Sequence, residues 1–169
     1  MRKSIIIGFG LLCFAKVANA QVGASSDAGV TIISPLTINP DEDLNFGLIA
    51  PSGSSGTVQL TPTGSRNAGG GITLPSTSNS FTPAKFTVTG EAGYTYEITL
   101  PTAPISLVYG NNNMTVDGFQ SYPATVGILS TTNPGSQVLK VGATLFVSAN
   151  QTPGLYASSI PFDVTVNYN

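Results

Sequence analysis

The side chains that most often perform catalysis are nearly missing from this sequence. It contains no histidine, and its single cysteine, Cys13, lies in an apolar N-terminal segment. Without an imidazole or a thiol elsewhere, the chain cannot assemble a Ser-His-Asp or Cys-His nucleophile, and zinc sites lose their usual ligands. We therefore expect neither an enzyme nor a protein that depends on a cofactor.

Three consecutive acidic residues, Asp41, Glu42 and Asp43, form a short carboxylate run. Carboxylates at alternate positions hold Ca²⁺ in calcium loops, and carboxylate pairs perform acid–base chemistry on glycosides. The run lacks the full spacing of a calcium loop and lies next to a proline. Solvated turn residues are therefore the favoured interpretation, with a cation site as the alternative.

The lysines and tyrosines offer two further chemistries. Lys85 and Lys140 are the only lysines beyond residue 20, and a Lys–Asn crosslink would need a buried carboxylate beside one of them. Tyr109, Tyr122 and Tyr156 would form a sugar-binding patch if they were exposed together. The sequence favours exposed strand lysines that discourage edge pairing, and tyrosines that lie in the core or singly on the surface.

The first 20 residues have the composition of a secretory signal. A basic start and an apolar run from Ile5 to Phe14 precede Ala18-Asn19-Ala20, which has the small residues of a cleavage site. The apolar run is too short to span a bilayer as a stable helix. We expect an exported protein that does not span the membrane and whose mature chain begins at Gln21.

The composition after residue 20 narrows the class of protein. Three basic and eight acidic side chains give this part a net charge of −5. This charge argues against nucleic acid and against anionic membrane surfaces as partners. The length suits a single domain with a real core.

Short runs of alternating apolar residues recur between turns rich in Gly, Pro, Ser and Asn, and they predict about eight to ten strands. The expected strands cover residues 30–38, 44–49, 57–61, 72–74, 84–89, 94–100, 105–109, 114–122, 139–147 and 160–168. The strands at 84–89 and 94–100 are expected to pair as a hairpin. The fold class is all-β, a sandwich, with a closed barrel as the alternative.

The last expected strand has the clearest pattern in the chain. Its apolar residues are Ile160, Phe162, Val164, Val166 and Tyr168, and polar residues or proline lie between them. A period of two indicates one dry face and one wet face. Such a strand needs a second sheet against its apolar face and partners for its backbone.

This strand, with Gly154 before it and Tyr168 in its next-to-last position, resembles the C-terminal strand of fimbrial subunits assembled by the chaperone–usher route. Four internal segments resemble a bacterial pilin-like domain family of unknown function. They are Leu44–Gly47, Phe86–Gly90, Val141–Leu145 and Pro153–Tyr156. The resemblance implies an immunoglobulin-like β-sandwich over residues 34–169, either complete or missing one strand.

In such fimbrial subunits an N-terminal extension of the next subunit supplies the missing strand. The resemblance assigns this role to residues 21–33, with Val30 and Ile32 as donor anchors and Val22 as a weaker one. The acceptor groove would be lined by Gly154, Ile160, Phe162, Val164, Val166 and Tyr168. The implied partners are other copies or related subunits, a periplasmic chaperone and an outer-membrane usher, and the implied destination is a fimbria on the cell surface.

A self-contained secreted module that binds glycans or surfaces is the alternative. In it residues 30–38 are the first strand and pair with residues 160–168 of the same chain. Both architectures require the same alternation of apolar and polar residues, so the sequence leaves both open.

Overall fold

The computed structural model describes residues 21–76 and 81–169, so the expected signal segment, residues 1–20, lies outside the described residues. Residues Ile33–Asn169 form one compact unit. Residues 21–32 contain no strand, and their side chains are exposed. The described residues form strands and turns without a helix, which confirms the all-β prediction. No helix long and apolar enough to cross a membrane occurs among them.

The described residues form eleven strands, and every ladder between them is antiparallel. The strands are β1 (Thr37–Glu42), β2 (Ala50–Leu60), β3 (Arg66–Thr73), β4 (Ala84–Gly90), β5 (Thr95–Thr99), β6 (Ile105–Tyr109), β7 (Asn112–Tyr122), β8 (Val126–Ile128), β9 (Gly135–Val147), β10 (Ala157–Ser158) and β11 (Thr165–Tyr168).

The strands are arranged in two sheets. The larger sheet has eight strands in the order β1-β4-β9-β7-β6-β10, with β2 paired to β9 and β3 paired to β2. The smaller sheet has three strands in the order β11-β5-β8. The hairpin of β6 and β7 and the long strand β9 fulfil the predictions for residues 105–122 and 139–147.

Strand β9 organises the larger sheet because it carries two strands on the same edge. Its first half pairs with β4 up to Val141, and its second half pairs with β2 from Ala143 onward. Gly142 lies at this junction, where an added Cβ would collide with the carbonyl oxygen of Leu60 and lie 2.7 Å from the nitrogen of Pro62. The absence of a side chain at Gly142 lets the end of β2, at Leu60, and the start of β4, at Ala84, meet beside β9.

The buried apolar side chains form two core clusters. The first core cluster contains Phe46, Val58, Leu60, Ile72, Met114, Val116, Ala143, Leu145 and Val147. The second core cluster contains Ala84, Val88, Tyr96, Ile98, Leu129, Leu139 and Val141. Leu44 and Phe119 pack against both clusters, and β9 supplies buried residues to each.

The expected hairpin between residues 84–89 and 94–100 was a wrong prediction. Strand β4 pairs with β1 and β9, whereas β5 pairs with β11 and β8 in the other sheet. The turn at Glu91–Gly93 therefore carries the chain from one sheet to the other. Tyr96 and Ile98 of β5 then pack in the same core cluster as Val88 of β4, instead of lying beside it in one sheet.

Several other segments also differ from the predicted strands and turns. Residues 39–43 were expected to turn, but β1 continues through Pro40 as an edge strand, where a missing N–H costs no ladder bond. Residues 51–56 and 66–71, expected as loops, belong to the β2–β3 hairpin. Residues 44–49, expected as a strand, make only an isolated bridge between Asn45 and Thr82.

Candidate functional site

The final strand is shorter in the structure than its pattern of apolar residues predicts. Strand β11 pairs with β5 over four residues, from Thr165 opposite Thr99 to Tyr168 opposite Tyr96. The alternation of burial is longer, because Phe162 and Val164 are partly buried like Val166 and Tyr168, and the residues between them are exposed. These four side chains pack against the second core cluster and form one face.

Phe162 connects this face to the larger sheet. Its ring centroid lies 6.4 Å from that of Phe86 on β4, edge to face, and 5.0 Å from that of Phe119 on β7. Aromatic pairs at such distances add to the stabilisation from buried area alone. The segment before β11 is therefore anchored by packing, although it forms no ladder.

The outer edge of β11 is open in the described part of the chain. Within those residues β5 is its sole ladder partner. The four side chains of its apolar face stay only partly buried, whereas Val58, Val88, Val116 and Leu139 in the core clusters are 0% exposed. An open edge beside an incompletely covered apolar face is a surface that can take another strand.

Gly154 and Ile160 lie away from this face. A Cβ at Gly154 would collide with the ring of Tyr109 on β6, so the space beside this glycine is filled by the larger sheet. Ile160 is 72% exposed and follows β10, which also pairs with β6. Of the six residues predicted to line a groove, the structure thus brings together Phe162, Val164, Val166 and Tyr168.

The predicted donor anchors lie in the strandless segment before Ile33. Val30 is 87% exposed, Ile32 is 89% exposed, and Val22 is 94% exposed. Because these apolar side chains are exposed, they do not contribute free energy of burial to the fold. They would contribute it if a partner covered them.

Three hydrogen bonds at the end of β11 form what we call the Ser34 clamp, made of Ser34, Glu91 and Tyr168. The Ser34 N–H donates to Glu91 Oε2 at 2.9 Å, and the Tyr168 hydroxyl donates to the Ser34 carbonyl at 2.9 Å. The Glu91 N–H donates to the Tyr168 hydroxyl at 2.6 Å. The backbone hydrogen bond from Ser34 lowers the pKa of the Glu91 carboxyl, since it stabilises the charged form.

Sequence reasoning placed Tyr168 on the apolar face but missed Ser34 and Glu91. Glu91 was assigned only to a turn, and Ser34 only to a strand. No local signal joins them, because the Ser34 and Tyr168 partners are 134 positions apart.

Lys85, Asp41 and Glu42, which were considered for chemistry, form contacts between neighbouring strands. Lys85 forms an ion pair with Glu42 at 2.8 Å, and Thr87 donates to Asp41 at 2.7 Å, both between β1 and β4. Within residues 21–76 and 81–169, no group of three or more His, Cys, Asp or Glu side chains is placed to hold a metal ion.

The three tyrosines considered for a sugar patch do not come together. Tyr109 and Tyr156 pack with ring centroids 5.6 Å apart. Tyr122 lies at the opposite end of β7 from Asn112, the partner of Tyr109, and pairs with Lys140. A single three-tyrosine platform is therefore not formed.

A family model matches residues 36–168, and this range includes all eleven described strands. The chain belongs to this family, Domain of unknown function (DUF4402). The matched DUF4402 region contains β11 and two members of the Ser34 clamp, Glu91 and Tyr168, and it begins after Val30 and Ile32. Membership in a domain family of unknown function is thereby confirmed, and the likeness to fimbrial subunits stays a prediction. No curated protein and no solved structure matches the chain.

Proposed function

We propose that this protein is a structural subunit of a surface filament in which neighbouring copies complete one another by strand exchange. In this proposal the domain is an immunoglobulin-like sandwich that lacks one strand, and the chain has no catalytic role and no cofactor. The single observation that carries the proposal is the open outer edge of β11 beside its partly buried apolar face.

The order of the strands supports an immunoglobulin-like arrangement. An immunoglobulin sandwich has strands A, B, E and D in one sheet and C, F and G in the other. The order β1-β4-β9-β7 corresponds to A-B-E-D, and the pair β5 and β11 corresponds to C and F. Strand G would pair with the outer edge of F, which is the edge of β11 that no described residue occupies.

The physical chemistry of an open edge favours a partner. Unpaired N–H and C=O groups template the addition of a strand, and a partly covered apolar face gains free energy when it is buried. Strand addition meets both needs, because main-chain hydrogen bonds pair the edge and alternate side chains cover the face.

Residues 21–33 of a second copy are the proposed occupant. Val30 and Ile32 are two positions apart, so in an extended strand both would point toward the apolar face of β11. Residues 21–33 would reach about 40 Å when extended, enough to cross a domain. A contact between the extension of one copy and the edge of the next is head-to-tail, and such contacts propagate as filaments when the ring does not close.

The proposal also includes a route by which the protein reaches the cell surface. Residues 1–20 would direct export, a periplasmic chaperone would cover the open edge in transit, and an outer-membrane usher would exchange the chaperone for the next subunit. Covering the edge before assembly would prevent the aggregation that an exposed edge invites.

The test compares residues 21–169 with a double variant, Val30→Asp with Ile32→Asp, in refolding and assembly. We expect polymers from the unmodified protein and monomers from the variant, because a buried carboxylate at either anchor would be unpaired. Light scattering coupled to size-exclusion chromatography and electron microscopy measure the assembly state. Leu155→Asp is the matched control, because Leu155 is 85% exposed and lies outside the extension; it should assemble normally.

A synthetic peptide of residues 21–33 completes the test. Added to a form that begins at Ser34, it should yield soluble complexes of one peptide and one domain. If the form that begins at Ser34 is already a stable monomer that ignores the peptide, the proposal fails. The self-contained binding module would then describe the protein better.

A further inference from the structure

The Ser34 clamp joins Ser34 to the end of β11 through side chains, and no strand ladder connects them. Both backbone groups of Ser34 are bonded by side chains, its N–H by Glu91 and its carbonyl by Tyr168. The Tyr168 hydroxyl is also an acceptor for the Glu91 N–H. The chain entering β1 is thus tied to the last residue of β11.

The surroundings of the clamp are closely packed. A Cβ at Gly90 would collide with the Tyr168 hydroxyl and would lie 3.0 Å from both Leu36 Cδ1 and Leu129 Cδ1. The tyrosine ring also packs edge to face on Tyr94, with ring centroids 6.0 Å apart. Tyr168 therefore has little freedom to move aside for an incoming strand.

Strand β1 lies close to the end of β11. Some Cα atoms of β1 and β11 lie within 8 Å of each other, although the two strands belong to different sheets and do not pair. Through Ser34, the clamp ties the chain that enters β1 to Tyr168. The side chains packed around Tyr168 leave little room for a further strand beside the end of β11.

The other end of the edge is less restricted. From Val166 back to Phe162, no described residue forms a ladder with the outer side of the chain. Phe162 and Val164 present partly buried side chains there. This part of the edge can pair with an added strand without displacing the Ser34 clamp.

The extension, residues 21–33, also has an apolar part and a polar part. Its last part contains Val30 and Ile32, whereas residues 21–28 are small or polar apart from Val22 and include the charged Asp27. Strands of an immunoglobulin-like sandwich are antiparallel. In that direction Ile32 would lie nearer the beginning of β11, and residues 21–28 would run past Tyr168, where the clamp stands.

We infer that the Ser34 clamp ends the acceptor edge at Val166 and so sets the register of the incoming strand. Val30 of the second copy lies beside Val166, Thr31 lies opposite Thr165, and residues 21–28 stay outside the paired region. The inference rests on the proposed strand exchange and adds the register, the length of the paired segment and the residues that determine both.

Cysteine pairs between two copies test the register, since residues 21–169 contain no natural cysteine. Thr31→Cys in one copy is mixed with Thr165→Cys or Asn167→Cys in another during refolding, and disulfide-linked dimers are counted under mild oxidation. Thr31, Thr165 and Asn167 are all exposed, so these cysteines spare the apolar face. We expect the Thr165 pair to crosslink several-fold more than the Asn167 pair.

Removal of the clamp should shift the register. With Tyr168→Phe and Glu91→Ala added to the acceptor copy, the preference for Thr165 should fall and crosslinking at Asn167 should rise. Tyr122→Phe with Asp43→Ala is the control, because it removes a hydroxyl and a carboxylate from exposed positions outside the clamp and outside β11. Circular dichroism of each variant verifies that the fold is retained.

The outcomes separate this inference from the proposed function. If no cysteine pair crosslinks and no polymer forms, strand exchange itself is wrong. If crosslinks form but Asn167 matches Thr165 in the unmodified acceptor, or the clamp variant leaves the preference unchanged, the register inference is overturned and strand exchange stands. A form that begins at Gly29 gives a second check, because it should assemble as well as the form that begins at Gln21.

Discussion

The hydroxyl of Tyr96 shows how one buried polar group joins the two sheets. Tyr96 is 0% exposed, and its hydroxyl donates to Gln137 Oε1 at 2.8 Å. The same oxygen accepts from the Ile128 N–H at 2.9 Å. Because Gln137 lies on β9 and the other two residues lie on β5 and β8, this amide oxygen connects the larger sheet to the smaller one.

Burial raises the pKa of Tyr96 to about 12, which predicts a loss of stability in alkali. The unfolded tyrosine ionises near pH 10, so the folded state holds a proton that the unfolded state has released. The stabilisation is therefore complete below pH 10 and declines as the pH rises from 10 to 12. Urea denaturation at several pH values should show this decline in the unmodified protein and a smaller one in Tyr96→Phe.

Two comparisons make this measurement specific. Tyr96→Phe should also lower the free energy of unfolding by about 1 kcal/mol at neutral pH, since one hydrogen bond is lost. Tyr122→Phe removes a hydroxyl from a side chain that is 64% exposed, and it should leave the decline unchanged. An equal alkaline decline in all three proteins would contradict the assignment to Tyr96.

At the scale of the strands, the sequence correctly predicted those strands in which apolar and polar residues alternate regularly. Strand β9 and the β6–β7 hairpin have regular apolar residues and turn residues between them, and both formed as expected. Strands β2 and β3 were largely missed because Gly and Ser give them little alternation. They form because β9 offers an edge to β2, and local sequence does not contain that information.

Gly142→Ala tests the junction on β9. The added methyl group would meet the backbone of Leu60 and Pro62, which cannot move without breaking the pairing of β2. We expect the free energy of unfolding to fall by about 3 kcal/mol, as for other overpacked sites. Gly69→Ala is the control, because its nearest neighbour would be Thr57 Oγ1 at 3.4 Å; chemical denaturation should find it much less destabilised.

At the scale of the whole compact unit, the two core clusters share one strand. Leu139 and Val141 of β9 belong to the second core cluster, and Leu145 and Val147 belong to the first. Sequence patterns identified most of these residues as inward-facing but did not assign them to sheets. An alternation with a period of two indicates which face of a strand is buried, but it does not indicate which sheet covers that face. The same limit explains the wrong hairpin of β4 and β5.

Because β9 crosses both clusters, we expect them to unfold together. Val58→Ala affects the first cluster and Val88→Ala the second, and both valines are 0% exposed. Each substitution should lower the free energy of unfolding by about 2 kcal/mol and shift a single transition without changing its slope. Two separate transitions in either variant, followed by circular dichroism and tyrosine fluorescence, would show that the clusters are independent.

The junction at Gly142 also has a consequence for how this domain diverges over evolution. A side chain at this position meets main-chain atoms, so changes in neighbouring side chains cannot compensate for it. Related sequences are therefore expected to keep glycine at this position. The exposed positions of β9, such as Val138 and Phe146, are expected to vary. A relative with another residue at this position should have lost the pairing of β2 with β9 and should have acquired a different way to cover the first core cluster.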